Sequence, residues 1–152
     1  MSIETVLLAV GTEDQKRTEQ LAEEAIALAE STSAEVVLTH VFSDGEFDGV
    51  RSRLGVDNAS EGATPDAVAK RHTTTRELSK ALDAADVKHS VRGAVGDHAD
   101  EVVAAAEAIE ADRVVVGGRR RSPTGKAMFG SVAQDVLLSA PCPVTFVREV
   151  PA

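Results

Sequence analysis

The stretch Arg113–Val147, RVVVGGRRRSPTGKAMFGSVAQDVLLSAPCPVTFV, holds one complete strand–helix–strand unit. Val114 to Val116 is short and wholly apolar after Arg113, the pattern of a central strand covered on both faces. Gly117 and Gly118 end it, and a basic loop leads to Gly130. Ser131 with Gln134 is a capping box that opens a helix through Val132, Val136 and Leu137. Pro141 stops that helix, and Val144 to Val147 reads as the next strand.

The same alternation runs back to the N-terminus. Ile3 to Val10 is a β-branched and aliphatic run of strand length. Thr12 with Gln15 is a capping box for a first helix, in which Thr18, Leu21, Ala25, Leu28 and Ala29 share a face. Ala34 to Phe42 is a second strand. Thr64-Pro65 places a cap and then proline at the first position of a second helix, whose face runs Val68, His72, Thr75, Leu78, Leu82 and Ala85. Val87 to Val95 is a third strand, closed by Gly96. Asp97 with Asp100 caps a third helix that buries Val102, Val103, Ala106 and Ile109. Five strands alternating with four helices predict a single α/β domain with a mostly parallel sheet. Its crossovers are right-handed, and ligands in such sheets sit beyond the carboxyl ends of the strands where the strand order reverses. Residues 43–63 interrupt the alternation with a polar stretch holding four glycines. It is expected to be a flexible insertion, either a partly ordered flap with a helical turn around Val50–Leu54 or plain disorder.

Length and composition narrow the classes further. A chain of 152 residues is one domain, able to bury roughly 70% of its unfolded surface. Hydrophobic residues make up 43% and charged ones 27%, which excludes a disordered chain. No apolar run has the ~18–20 residues of a membrane span, and no secretory signal opens the sequence, so a cytoplasmic protein with no membrane partner is expected. The net charge of −9 argues against a nucleic-acid partner. Eleven arginines against five lysines on an acidic chain fit work in concentrated salt, and fit an ordinary acidic protein equally well. The single cysteine, Cys142, excludes an internal disulfide.

The loop after the fourth strand inverts this charge. Four of the sixteen bases, Arg119, Arg120, Arg121 and Lys126, lie in it, and no acid occurs from 114 to 134. Glycine allows close backbone approach, and the helix opening at Ser131 offers free amides at its positive end. An anion site, with phosphate the first candidate, follows from the combination; singly, each feature reads equally as a turn, a cap or a solvated loop. A P-loop is excluded, because Arg120 and Ala127 stand where it needs Gly and Ser or Thr. So is a dinucleotide fingerprint after the first strand.

With Gly117, Gly130 and Ser131 in register with Gly, two residues, Gly, nine residues, Gly, Ser/Thr, the chain resembles the universal stress proteins, the UspA-type adenine-nucleotide α-hydrolase-like group. Ala140-Pro141-Cys142-Pro143-Val144, Gly96-Asp97 and Ala111-Asp112 carry the same resemblance. It implies a Rossmann-like sheet of strand order 3-2-1-4-5 with helices on both faces, and a homodimer formed through the last strand, Pro143 to Val147. It also implies a regulatory protein of the stress response that binds ATP or AMP, with or without Mg²⁺, at the ends of strands 1 and 4. The nucleotide-binding residues carried over are Gly11, Thr12, Val41, Val116, Gly117, Arg120, Gly130, Ser131 and Val132. Two positions depart from the family pattern: Arg120 replaces its second glycine, and no Asp directly follows the first strand, Asp14 falling inside the first helical turn. The alternative reading is therefore a nucleotide-free dimeric interaction module of the same fold, with Arg120 filling the phosphate site and an unknown protein as partner.

The remaining chemistry-bearing residues read as structure. His40, His72, His89 and His98 lack metal-ligand spacing. His40 is expected in the core or at its edge, His98 at a helix start and Cys142 in buried packing. No nucleophile, base and orienting group assemble from the sequence, so no catalytic residue is predicted, and at most a slow, incidental ATP hydrolysis is expected.

Overall fold

Val6, Leu7 and Leu8 are all fully buried, which a strand achieves only when both of its faces are covered. They belong to β1 (Thr5–Val10), the middle of five parallel strands in the order β3-β2-β1-β4-β5. The others are β2 (Glu35–Phe42), β3 (His89–Val95), β4 (Arg113–Gly118) and β5 (Val144–Arg148). This is the predicted order. The computed structural model describes residues 2–54, 64–118 and 131–148. Among them are six α-helices: α1 (Thr18–Thr32), α2 (Asp44–Leu54), α3 (Pro65–Arg71), α4 (Thr73–Ala84), α5 (His98–Ala108) and α6 (Ser131–Ser139).

Strand alternation divides the core in two. Val6, Leu8, Val36 and Leu38 pack with Leu21 and Ala25 of α1 and Leu78 and Leu82 of α4. Leu7, Val37, Val114 and Val116 face the other way, onto Val102 and Ala106 of α5 and Val136 of α6. A register in which Leu7 lies beside both Val37 and Val114 keeps each set on its own face. Gly96 turns the chain from β3 into α5 at φ +149°, where a Cβ would lie 2.7 Å from the Glu101 carboxylate. Asp97 caps α5 as expected, its Oδ2 accepting the Asp100 N–H at 3.0 Å.

Several local readings need correction. Thr12 and Gln15 do not cap α1. The Asp14 carboxylate reaches back to the Gly11 N–H at 2.7 Å, which tightens Thr12–Lys16 into a 3₁₀ turn, and α1 begins only after Arg17. The second predicted helix is two. Thr64 caps α3 with Pro65 in its first turn, but His72 leaves helical geometry at ψ 139°, and its Nδ1 caps α4 by accepting the Thr74 N–H. In α6, Val132 and Leu137 are exposed, while Ala133 and Val136 face inward. Cys142 is half-buried rather than enclosed, and burial pushes its thiol pKa up, away from reactivity.

The stretch 43–63 begins with order. Ser43 and Glu46 form a reciprocal capping box, with the Ser43 N–H donating to Glu46 Oε1 at 2.7 Å and the Glu46 N–H to Ser43 Oγ at 3.2 Å. The helix it opens, α2, sets Phe47 and Val50 against Phe42, Val68 and Ala69. Residues 55–63 lie outside the described residues.

Candidate functional site

β1 and β4 are neighbours, yet the chain leaves β1 towards β2 on one side and β4 towards β5 on the other. The loops therefore part above their carboxyl ends, and a crevice opens there. In this fold it is a cavity of about 340 Å³. Of the residues singled out from the sequence, Gly11, Thr12, Val41, Val116, Gly117 and Val132 all line it. Arg120 and Gly130 lie outside the described residues, as does the side chain of Ser131, whose backbone opens α6.

The wall has an apolar and a polar side. Val41, Val102 and Val116 give an aliphatic surface from β2, α5 and β4. The polar side is built by Asp14 and His98, which the sequence reading placed at helix starts, and by Arg17 and Glu46, which it did not name. Asp14 and Arg17 form an ion pair between Oδ1 and Nη1, with Asp14 8% and Arg17 2% exposed. Burial dominates at Asp14 and pushes its carboxyl pKa up, against the opposing pull of the Gly11 N–H and the Arg17 guanidinium. Gly117 makes the pair possible: a Cβ there would stand 2.6 Å from Arg17 Cδ and 3.0 Å from Asp14 Oδ1. Its lack of a side chain thus makes room for arginine, beyond serving a turn.

Glu46 and His98 meet in the same cavity wall, Oε1 to Nε2 at 3.1 Å, tying α2 to α5. Burial works against the charged form of Glu46. The Ser43 N–H, the Thr12 hydroxyl and His98 outweigh it and hold the carboxyl below the usual range. His98 is thus more than a helix-start residue, since its ring also stands 3.7 Å from where a Gly11 Cβ would be. His40 is not part of the cavity wall. It is fully buried, stacked on Phe42 at 4.2 Å and against His72 at 4.4 Å.

The Ser-x-x-Glu box at 43–46 is the signal that could have found Glu46. The pairing with His98, 52 residues away, leaves none in the sequence.

Residues 3–148 match the family model described as the universal stress protein family. A universal stress protein of Mycolicibacterium smegmatis is 37% identical over 97 residues, 62% of this chain and 75% of that one. A solved universal stress protein in complex with cAMP superposes with TM-score 0.68 at 19% identity, covering 99% of this chain and 100% of that one. The universal stress protein from Archaeoglobus fulgidus in complex with dAMP does so with TM-score 0.64 at 19% identity, covering 97% and 99%.

Proposed function

The chain belongs to the universal stress protein family, and from that premise we propose that it binds an adenine nucleotide, ATP or AMP, at the ends of β1 and β4. The observation that carries this reading is the cavity at the point where the strand order reverses, with one aliphatic wall and one hydrogen-bonding wall. Its volume lies within the ~300–1,000 Å³ of small-molecule pockets. Val41, Val102 and Val116 suit a purine face, and the first turn of α6 presents Val132 and Ala133 to the same space, where amides favour a phosphate. Relatives of the same fold have been solved with cAMP and dAMP bound, which supports the ligand class. We read the role as regulatory, in the stress response and in the cytoplasm, a setting that a single unpaired cysteine fits.

Calorimetric titration of AMP, and of ATP with Mg²⁺, into nucleotide-free protein in molar KCl is expected to show micromolar binding. Amide shifts in ¹H–¹⁵N spectra should then concentrate at Gly11, Val116 and Gly117. Absence of heat with no carried-over nucleotide, or shifts centred elsewhere, would overturn the reading in favour of the nucleotide-free module.

We also infer that a second copy covers β5. This strand pairs with β4 on one side and ends the sheet, and on the adjoining α6 Leu138 is 77% exposed. Sedimentation velocity at micromolar protein should give a dimer. A monomer at all concentrations would count against it.

A further inference from the structure

Arg17 is nearly inaccessible, at 2% exposure, although it lines the cavity. A buried guanidinium is costly unless its N–H donors find acceptors. Here Asp14 Oδ1 engages Nη1, and Nε is buried with no partner among the described residues. Asp14 Oδ2 accepts the Gly11 N–H at 2.7 Å and makes no bond to Nε. The Nε–H, part of the edge with which a guanidinium grips an oxyanion, is therefore left without an acceptor among the described residues.

The surroundings of that edge are suited to an anion. Arg17 lies across Gly117 at the end of β4, its Cδ 2.6 Å from the position of a Gly117 Cβ. Val132 and Ala133, in the first turn of the nine-residue helix α6, line the same cavity. Two independent sources of positive potential, a guanidinium and a helix N-terminus, thus converge on one space. Of the other acids of the wall, Glu46 is engaged by Ser43 and His98, and Glu13 stands beside Asp14 and acts on it electrostatically.

We infer that Arg17, held in place by Asp14, grips a phosphoryl group of the ligand and so makes the site select phosphorylated nucleosides over nucleosides. The inference rests on the adenine-nucleotide reading for the base, but its own subject is the phosphate. Asp14 is a positioning residue that orients the guanidinium without touching the ligand.

The test compares adenosine, AMP and inorganic pyrophosphate by calorimetry on the wild type, on Arg17→Met and on the double variant Asp14→Asn/Arg17→Met. The double variant removes both charges together, so it avoids stranding a buried carboxylate if the single variant fails to fold. Thermal melting establishes that each variant tested is folded. The wild type should prefer AMP to adenosine by about tenfold or more, the scale of a charge-assisted hydrogen bond pair. That preference should collapse towards unity in whichever variant folds. An unchanged preference would reduce the ion pair to a structural element and overturn the inference. Pyrophosphate binding that disappears in the variants would uphold the role of Arg17 even where adenosine and AMP bind alike poorly and the adenine reading fails. A wild type that binds neither AMP nor pyrophosphate would end both.

Discussion

Replacing Gly93 by alanine is expected to destabilise the protein by about 3 kcal/mol, the upper range for forcing an extra methyl into packed structure. Gly93 lies in β3, and the first turn of α3 sits directly on it. A Cβ would stand 2.0 Å from the Pro65 carbonyl oxygen and 2.4 Å from its carbon. Both are backbone atoms, so no side-chain rotation relieves the clash, and α3 itself must lift. Lifting it breaks the hydrogen bond from the Gly93 N–H to Asp66 Oδ1, 2.8 Å in the wild type. It also unseats Val68 and Ala69 from Phe42. Gly49→Ala is the control. Gly49 is exposed within α2 and its Cβ would meet nothing within 4 Å, so the same substitution should stabilise by about 0.5–1 kcal/mol through helix propensity and unfolded-state entropy. Urea unfolding of both variants measures the contrast. A loss below about 1 kcal/mol at Gly93 would mean that α3 does not bear on β3 as described.

The contrast between Gly93 and Gly49 also marks where sequence reading reached its limit. The sheet was legible because its strands are continuous apolar runs and its helices carry one apolar stripe each, patterns that survive any detail of packing. Of α2 only a helical turn around Val50–Leu54 was expected, as one of two readings, because DGEFDGVRSRL carries two glycines and, among the described residues, packs through Phe47 and Val50. Its stability comes from tertiary contact with Phe42, Val68 and Ala69, not from propensity. The break at His72 was equally hidden, since no glycine or proline marks it.

The cavity divides in the same way. Gly11, Thr12, Val41, Val116, Gly117 and Val132 were named from a resemblance, and the topology brings them to one place. Asp14 read as a residue of the first helical turn, and Arg17 drew no reading at all. Their burial follows from the 3₁₀ turn and from the space left by Gly117, a hundred residues further on. Arg120 and Gly130 stay with the sequence argument alone, and the departure at Arg120 gives weight to the choice of pyrophosphate as a probe.

The second large effect concerns acid. Between pH 6.5 and 4.5 the protein should lose about 2–3 kcal/mol of stability, and His40 should be the main cause. Its ring is fully buried and both nitrogens lack partners among the described residues. Burial, reinforced by His72, lowers its pKa from 6.5 to about 3. A depressed histidine pKa means that the unfolded chain takes up the proton first. Stability is therefore intact above pH 6.5 and falls as pH drops from there towards 3. The half-buried His72, whose pKa is also lowered, adds in the same direction. Glu46 and Asp112, whose pKa values lie below the ordinary carboxylate values, contribute acid loss only at lower pH, whereas Asp14, with its raised pKa, takes up its proton first in the folded state and works in the opposite direction, so the comparison with a His40 variant isolates the histidine. His40→Leu is of similar volume and removes two unsatisfied polar atoms, so it should change stability by less than about 1 kcal/mol at pH 8. Most of the slope between pH 6.5 and 4.5 should disappear with it. Urea midpoints at constant KCl measure both quantities. A wild type whose midpoint stays flat over this window, or a variant that keeps the full slope, would show that His40 does not carry the acid sensitivity.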